Sequence, residues 1–294
     1  MEHVPTAEEV AEVRPDMEDL EFVAAGGFKA VFKAKVGEKV EAVKIAYIPS
    51  AAMEDSSREE IALRVKREID ALKLCRTNRL VKLGSIELQG LSIRGRDYVI
   101  YSEEFLEGET LKDKIARGHR PDSEELNLLA RCLMEALREL ESIDHIHRDV
   151  KPGNIMALSS PERPFVLLDL GIAYKMQGTE LTVHGAGPPG TLLYMAPELF
   201  RPDYKEVLDI RSDIYSAGVT LFEYATGEHP LARRGEDLAT TVYRIVRYAP
   251  AKLATLRHDL PEWLTNAIDR SIKKMPALRY RNPQALLNQL EGNA

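Results

Sequence analysis

The sequence is short of nearly everything that would mark a secreted, membrane-embedded or nucleic-acid-binding protein. It has two cysteines in 294 residues, Cys75 and Cys132, too few and too far apart for a disulfide framework or a zinc knuckle. Both fall within apolar helical patterns, which suits small buried thiols. No apolar stretch approaches the ~18 residues of a membrane span, and Met1-Glu2-His3 lacks the basic start and apolar middle of a signal peptide. Basic runs are missing too: 40 Lys and Arg are scattered among 47 Asp and Glu, leaving a net charge of −7. Without an electrostatic footprint for a phosphate backbone, no nucleic-acid partner is expected. The seven histidines offer one close pair, His145 and His147, with no third zinc-type ligand at a helical or turn offset. Internal repeats and low-complexity segments are absent. The expectation is a cytoplasmic protein with no membrane span.

Apolar side chains are plentiful, at 44% of the chain, enough for one large bilobed unit or two modest domains. Residues 1–20 are polar and acidic and include Pro5 and Pro15, so a leader, loose or laid across the surface, is expected there. Strand patterns follow. Phe22-Val23, Ala30-Val31-Phe32-Lys33-Ala34 and Glu41-Ala42-Val43-Lys44-Ile45-Ala46 alternate or run apolar around Gly26-Gly27 and Gly37, as in a twisted antiparallel meander. From Ser57 to Leu74 the positions Ile61, Val65, Ile69 and Leu72 recur at helical steps, with Glu68 near the edge of that face. Leu80 to Glu87 and Asp97 to Tyr101 read as two more strands, and Glu103-Glu104-Phe105-Leu106-Glu107-Gly108 as a hinge. Beyond it the period lengthens to that of helices. Leu126, Leu129, Leu133, Leu137 and Leu140 mark a helix beginning near Asp122, with Asp122 and Glu125 as a capping pair. Further helices are predicted at about 212–226, 236–248, 261–274 and 283–291. A small β-rich lobe therefore precedes a larger helical one.

The eight residues His147-Arg148-Asp149-Val150-Lys151-Pro152-Gly153-Asn154 place an acid, a cation and an amide at set offsets on one loop. That arrangement suits phosphoryl transfer. Asp149 can accept the proton of an attacking hydroxyl, Lys151 can neutralise charge on the moving group, and Asn154 can hold a metal ion. Five fixed polar identities recur by chance on the order of 10⁻⁷ per starting position, so coincidence explains them poorly. The loop resembles the catalytic loop of protein kinases, and further landmarks similar to that family's follow in order over roughly residues 21–290.

The resemblance implies an α+β, bilobal, protein-kinase-like fold: a small antiparallel β lobe with one helix, then a larger, mainly α-helical lobe. The implied division is a leader over 1–20, an N-terminal lobe over 21–104 and a C-terminal lobe over 105–294. Ala24 to Val31 is similar to the glycine-rich loop but keeps only the middle of its three glycines. Ala25, Gly26, Gly27 and Phe28 would lie over nucleotide phosphates, and Lys29 would lend them its charge or point to solvent. Lys44 matches the strand lysine that contacts the α- and β-phosphates and pairs with a helix glutamate, here Glu68. A charge on a central apolar strand needs such a partner. Asp169-Leu170-Gly171 resembles the magnesium-binding tripeptide, so Asp169 and Asn154 would supply oxygen ligands to a Mg²⁺ that bridges phosphates of ATP. Leu72, Leu83, His147 and Leu170 fall where the family stacks an internal spine. Adenine is expected against the backbone of Glu104 and Leu106, with apolar walls from Val31, Ala42, Leu111 and Met156, and ATP between the lobes. Gly190 to Glu198 is similar to the substrate-docking stretch, Arg279 to the buried partner of Glu198, and Asp213 to the acid that anchors the catalytic loop.

Lys151 and Thr191 resemble the serine/threonine kinases, and the Lys-Pro-Gly-Asn wording resembles their bacterial members. The implied activity is transfer of the γ-phosphate of ATP-Mg to a Ser or Thr hydroxyl of a protein substrate, with self-association for autophosphorylation. Arg148 beside Asp149 implies control by a phosphate in the activation segment, with Thr179 and Thr182 the nearest candidates. Glu103 falls at the position guarding the pocket behind adenine, or Ser102 does if the register shifts by one. From there Glu103 could compete with Glu68 for Lys44 and favour a resting state. Two other readings stay open: a pseudokinase that signals through shape, favoured by Ala24, Lys29 and Glu103, and a kinase-like small-molecule phosphotransferase, disfavoured by Ala196-Pro197-Glu198. The chain closes soon after Arg279, which leaves room for a longer parent protein.

Overall fold

Period-two burial along the first strands sets the plan of the β-rich part. The computed structural model describes residues 4–26, 29–48, 55–170, 192–204, 208–233 and 235–292, with only the backbone at 55–62 and 64. Strands β1 (Met17–Gly26), β2 (Lys29–Val36) and β3 (Lys39–Ile48) form the expected antiparallel meander, joined by β4 (Gln89–Ile93) and β5 (Arg96–Glu104) in the order β1-β2-β3-β5-β4. Ala30, Phe32 and Ala34 of β2 alternate inward with Val43 and Ile45 of β3 and Tyr98 and Ile100 of β5, giving one apolar face. The opposite face carries Ala46, Val99 and Tyr101, against which Val65 and Ile69 of helix α2 (Asp55–Leu74) pack.

Residues 4–20, expected as part of a leader either loose or laid across the surface, are folded onto the first unit. Helix α1 (Ala7–Val13) lays the fully buried Val10 into the first apolar face, and β1 already begins at Met17. Thr6 and Glu9 cap α1 reciprocally, the Thr6 hydroxyl accepting from the Glu9 N–H at 3.2 Å and the Glu9 carboxylate from the Thr6 N–H at 3.0 Å. Leu80 to Glu87, expected as a strand, makes isolated bridges instead, Leu80 with Leu167 and Leu83 with Glu103. The reason is a buried acid. Glu41 accepts from the Ser85 N–H and from the Ser102 hydroxyl, pulling the chain close enough that a Cβ on Gly84 would overlap both side chains.

The chain divides into two units, Met1–Leu74 with Val81–Glu107, and Cys75–Leu80 with Gly108–Ala294. Residues expected as a leader thus belong to the first unit, because α1 joins its core, and that unit runs three residues past the end of β5, to Glu107. The second unit is built on helices α3 (Leu111–Ala116), α4 (Ser123–Ser142), α5 (Ile210–Thr226), α6 (Leu238–Arg247), α7 (Glu262–Ser271) and α8 (Pro283–Glu291). A small sheet, β6 (Gly108–Thr110), β7 (Ile155–Leu158) and β8 (Phe165–Leu167), completes it. The predicted stripe from Leu126 to Leu140 is buried along α4. Asp122 caps that helix through the Glu125 N–H, but the Glu125 carboxylate turns away to Lys114, His119 and Tyr224. Cys75 and Cys132 are buried and form no disulfide. Among the described residues no helix is long and apolar enough to cross a membrane.

One ion pair ties the end of the second unit to its middle. Arg279, with no side-chain exposure, donates to both oxygens of Glu198 at 2.6 and 2.7 Å, and to the carbonyls of Lys273, Lys274 and Arg211. The Ser212 hydroxyl donates to the same carboxylate. Every donor has an acceptor, which offsets the desolvation of both charges. Arg279→Ala strands the Glu198 carboxylate and is expected to cost about 3–5 kcal/mol, lowering the melting temperature by roughly 10 °C. Arg279→Lys, without the planar fork, recovers only part of this. An unchanged melt in either variant contradicts the assignment.

Candidate active site

The loop His147 to Asn154 leaves α4 through a strained path. Asp144 and Arg148 both hold positive φ, 55° and 66°, which side chains other than glycine adopt at a cost of roughly 1–3 kcal/mol. Asp213, buried in the first turn of α5, holds the loop there: its two oxygens accept from the N–H groups of His147 at 2.6 Å and Arg148 at 2.8 Å. Burial pushes the Asp213 carboxyl up from its ordinary value, opposed by the His147 ring and these two donors. His147 is buried as well, and burial holds its imidazole below the ordinary value. Its bonds assign the neutral tautomer: Nε2–H donates to the Leu168 carbonyl at 3.0 Å, and Nδ1 accepts from the Asp149 N–H at 3.2 Å.

Asp149, Lys151 and Asn154 converge as their spacing predicted. Asp149 Oδ2 accepts from Lys151 Nζ and from Asn154 Nδ2, each at 2.8 Å, and Asn154 Nδ2 also donates to the Asp149 carbonyl at 2.9 Å. Asp149 Oδ1 is shielded from solvent and has no hydrogen-bond partner among the described residues. An orphaned carboxylate oxygen is costly for stability, and it is the atom a general base offers to a hydroxyl. A 3-10 turn over Pro152–Asn154 sets the amide so that its nitrogen faces Asp149, leaving the oxygen for a cation. The Leu168 N–H donates to the Asn154 carbonyl at 2.8 Å, so the segment that leads from β8 to Asp169 is tied to the same loop. Asp169 itself has φ 47°.

In the first unit, the cross-strand register brings Val31 opposite Lys44, Lys44 opposite Tyr101 and Ala42 opposite Glu103, all on the α2-facing side of the sheet. The expected pairing of Lys44 with Glu68 is not formed. Lys44 Nζ lies 2.6 Å from Glu103 Oε2 on the neighbouring strand, while the partners of Glu68 are Lys29, at 3.2 Å, and the Tyr101 hydroxyl. Glu103 wins because it shares the sheet with Lys44 one diagonal step away. Ala25 and Gly26 end β1 in exposed positions, and a Cβ on Gly26 would meet nothing within 4 Å, so no packing demand explains that glycine. The Glu104 N–H and carboxylate both engage the Lys82 backbone, and Leu106 follows half-buried. Met156 is half-buried in β7. Leu111, expected to wall adenine, is corrected: it has no exposed surface and is a core residue at the start of α3. Gly27, Phe28, Gly171, Thr179, Thr182, Gly190 and Thr191 lie outside the described residues.

A family model described as "Protein kinase domain" matches residues 17–289. The chain belongs to the protein kinase domain family. A probable serine/threonine-protein kinase of Clostridium perfringens, CPE1738, is 27% identical over 273 residues, 92% of this chain and 37% of that protein. The serine/threonine-protein kinase PknB of Mycobacterium leprae is 31% identical over 179 residues, 60% of this chain and 28% of that one. This kinase domain therefore spans well under half the length of these relatives. Among solved structures, Rad53 1-466 in complex with AMP-PNP superposes with a TM-score of 0.69 at 22% identity, covering 93% of this chain and 64% of that chain. The Mycobacterium tuberculosis PknI kinase domain gives 0.63 at 18% identity, covering 94% and 96%. At these identities the likeness is one of fold.

Two contributors to this kinase domain escaped the sequence reading. Tyr101 joins Lys29 to Glu68, which its place two residues before Glu103, on the same strand face, could have suggested. His229 holds the stretch after the kinase activation segment: Nε2–H donates to the Leu193 carbonyl at 3.0 Å while Nδ1 accepts from the Leu231 and Ala232 N–H groups. Burial pushes this imidazole down to about 4 from 6.5. The unfolded chain thus takes up the proton first, so the stabilisation is complete above about pH 6.5 and lost as pH falls toward 4. His229→Asn is expected to melt lower at pH 7 and to lose this component of the acid sensitivity. Melts of both proteins from pH 7 to 4 that fall in parallel would refute the assignment.

Proposed function

We propose that the chain transfers the γ-phosphate of ATP to a serine or threonine hydroxyl of a protein. The orphaned Asp149 Oδ1, held beside Lys151 and Asn154, is the observation that carries this reading. The names of the relatives, serine/threonine kinases, support the acceptor class, as does Lys151 two residues after Asp149.

In the proposed step the acceptor oxygen attacks the γ-phosphorus, the bond from that phosphorus to the β,γ-bridging oxygen breaks, and ADP leaves. The hydroxyl proton passes to Asp149 Oδ1. Lys151 offsets charge on the transferring group, and its contact with Oδ2 leaves Oδ1 as the oxygen without a donor. Most of the acceleration comes from positioning, with proton removal a smaller term. The oxygens of Asn154 and Asp169 are hard donors that fit Mg²⁺, which when bound would neutralise phosphate charge. The open side of Gly26 fits the close approach of a phosphate to the backbone.

ATP and Mg²⁺ as reactants fit action in the cytoplasm, with a Ser/Thr-bearing protein as partner and a second copy of the chain as one such acceptor. The test is phosphate incorporation from labelled ATP with Mg²⁺, into the chain itself and a generic protein acceptor. Asp149→Asn should keep its fold and lose about 10²–10⁴-fold in rate. Undiminished incorporation in that variant refutes the proposal, and ATP binding without transfer in wild type points to the pseudokinase reading instead. Mixing active chain with Asp149→Asn chain tests self-association: label appearing on the inactive copy supports transfer between copies.

A further inference from the structure

The charged groups on the α2-facing side of the first unit's sheet are paired in a crossed fashion. Lys29, Lys44, Tyr101 and Glu103 share that side, because Lys29 pairs with Ala46, Val31 with Lys44, Lys44 with Tyr101 and Ala42 with Glu103. Glu68 reaches the same side from α2. Two lysines and two glutamates thus meet around one tyrosine, with Lys29 and Lys44 at 5.6 and 5.8 Å from its ring centre.

We propose that Lys29, not Lys44, is the cation that Glu68 presents to the phosphates of the nucleotide, and that Glu103 withholds Lys44 from that role. This rests on the kinase reading above. Lys29 Nζ lies 3.2 and 3.3 Å from the two Glu68 oxygens and 2.9 Å from the Tyr101 hydroxyl, which itself donates to Glu68. The triangle fixes the ammonium while leaving the Lys29 side chain 23% exposed, so its charge is both positioned and reachable. Lys44 is in the opposite condition. It forms a 2.6 Å ion pair with Glu103, the two side chains 5% and 3% exposed, and giving up a desolvated pair at that distance to reach Glu68 would leave a buried carboxylate short of a cation.

The position of Lys29 strengthens the case. It opens β2 and pairs across the strands with Gly26, the last residue of β1. A phosphate drawn to the open backbone at Gly26 would find Lys29, its cross-strand neighbour, before Lys44, which lies one strand further in. The presence of a cation here therefore compensates for the glycines missing at 24 and 29.

The test measures Mg-ATP affinity by calorimetry, alongside phosphate transfer, for wild type, Lys29→Met, Lys29→Arg, Lys44→Met, Glu103→Gln and the double variant Lys29→Met/Glu103→Gln. Lys29→Met should weaken ATP binding or reduce kcat/KM for ATP at least ten-fold, more than Lys44→Met does. Lys29→Arg should recover part of the loss. Glu103→Gln should restore ATP affinity in the Lys29→Met background, since Lys44 is then released to take Glu68. If Lys29→Met fails to fold, Lys29→Gln takes its place, with the same expected order. Affinity and turnover within two-fold of wild type in Lys29→Met, beside a ten-fold loss in Lys44→Met, overturn the inference and leave the kinase reading intact. If wild type binds Mg-ATP but transfers nothing, the kinase reading fails and the ATP affinities alone decide the role of Lys29. A wild type that binds no ATP overturns both.

Discussion

The Asp213 carboxylate sets the path of the loop His147 to Asn154 in the second unit. It accepts two adjacent backbone N–H groups, those of His147 and Arg148, and so holds Arg148 in a left-handed conformation that its side chain would otherwise avoid. That local twist turns the following residues so that Asp149, Lys151 and Asn154 close on one another. The neutral His147 then locks the loop to Leu168, and the Asn154 carbonyl takes the N–H of the same residue. Removing the carboxylate would release strain, two donors and the tautomer of His147 together. These contacts form one cooperative device.

Buried acids organise the first unit in the same way. Glu41 draws residues 84–86 against β5 and so replaces a regular strand by a bulged edge. Glu103 and Glu68 divide two lysines between them. Glu41 and Glu68 survive inside an apolar layer because donors reach both acids, and Glu103 because Lys44 pairs with it; the geometry of those partners is then imposed on the chain. Polar groups account for specificity of placement here, while the two apolar faces of the sheet account for its cohesion.

The elements with strong periodicity were legible from the sequence. Alternation at Ala30-Val31-Phe32-Lys33-Ala34 and the leucine stripe of α4 each report one buried face, and burial of that face is what the structure does with them. The convergence of Asp149, Lys151 and Asn154 was legible because the loop has distinctive residue identities as well as spacing. Helix α1 was missed for a physical reason: with seven residues it has room for a single fully buried side chain, Val10, so no period develops. Its Thr6-Glu9 capping box was the available signal. The sequence offered Lys44 two partners, Glu68 and its competitor Glu103, and spacing alone could not say which carboxylate lies nearer; Glu103 does. Leu111 was misplaced because an apolar residue beside a ligand and one inside a core read alike.

Backbone conformation explains why the glycine-rich turn can differ from the family pattern. Among the described residues, the non-glycine positions with positive φ are Asp19, Arg94, Asp144, Arg148 and Asp169; Ala24 and Lys29 are not among them. Both lie in extended β geometry, paired with Val31 and Gly26 respectively. The left-handed freedom of glycine is therefore not needed at 24 or 29, and what glycine would have contributed there is space alone. Once space is not the constraint, a long cation at position 29 can add a charge that a bare backbone lacks. The same freedom makes that charge useful only if something orients it, because an unrestrained lysine loses much rotamer entropy on contacting an anion. Glu68 and Tyr101 supply that orientation before any phosphate arrives.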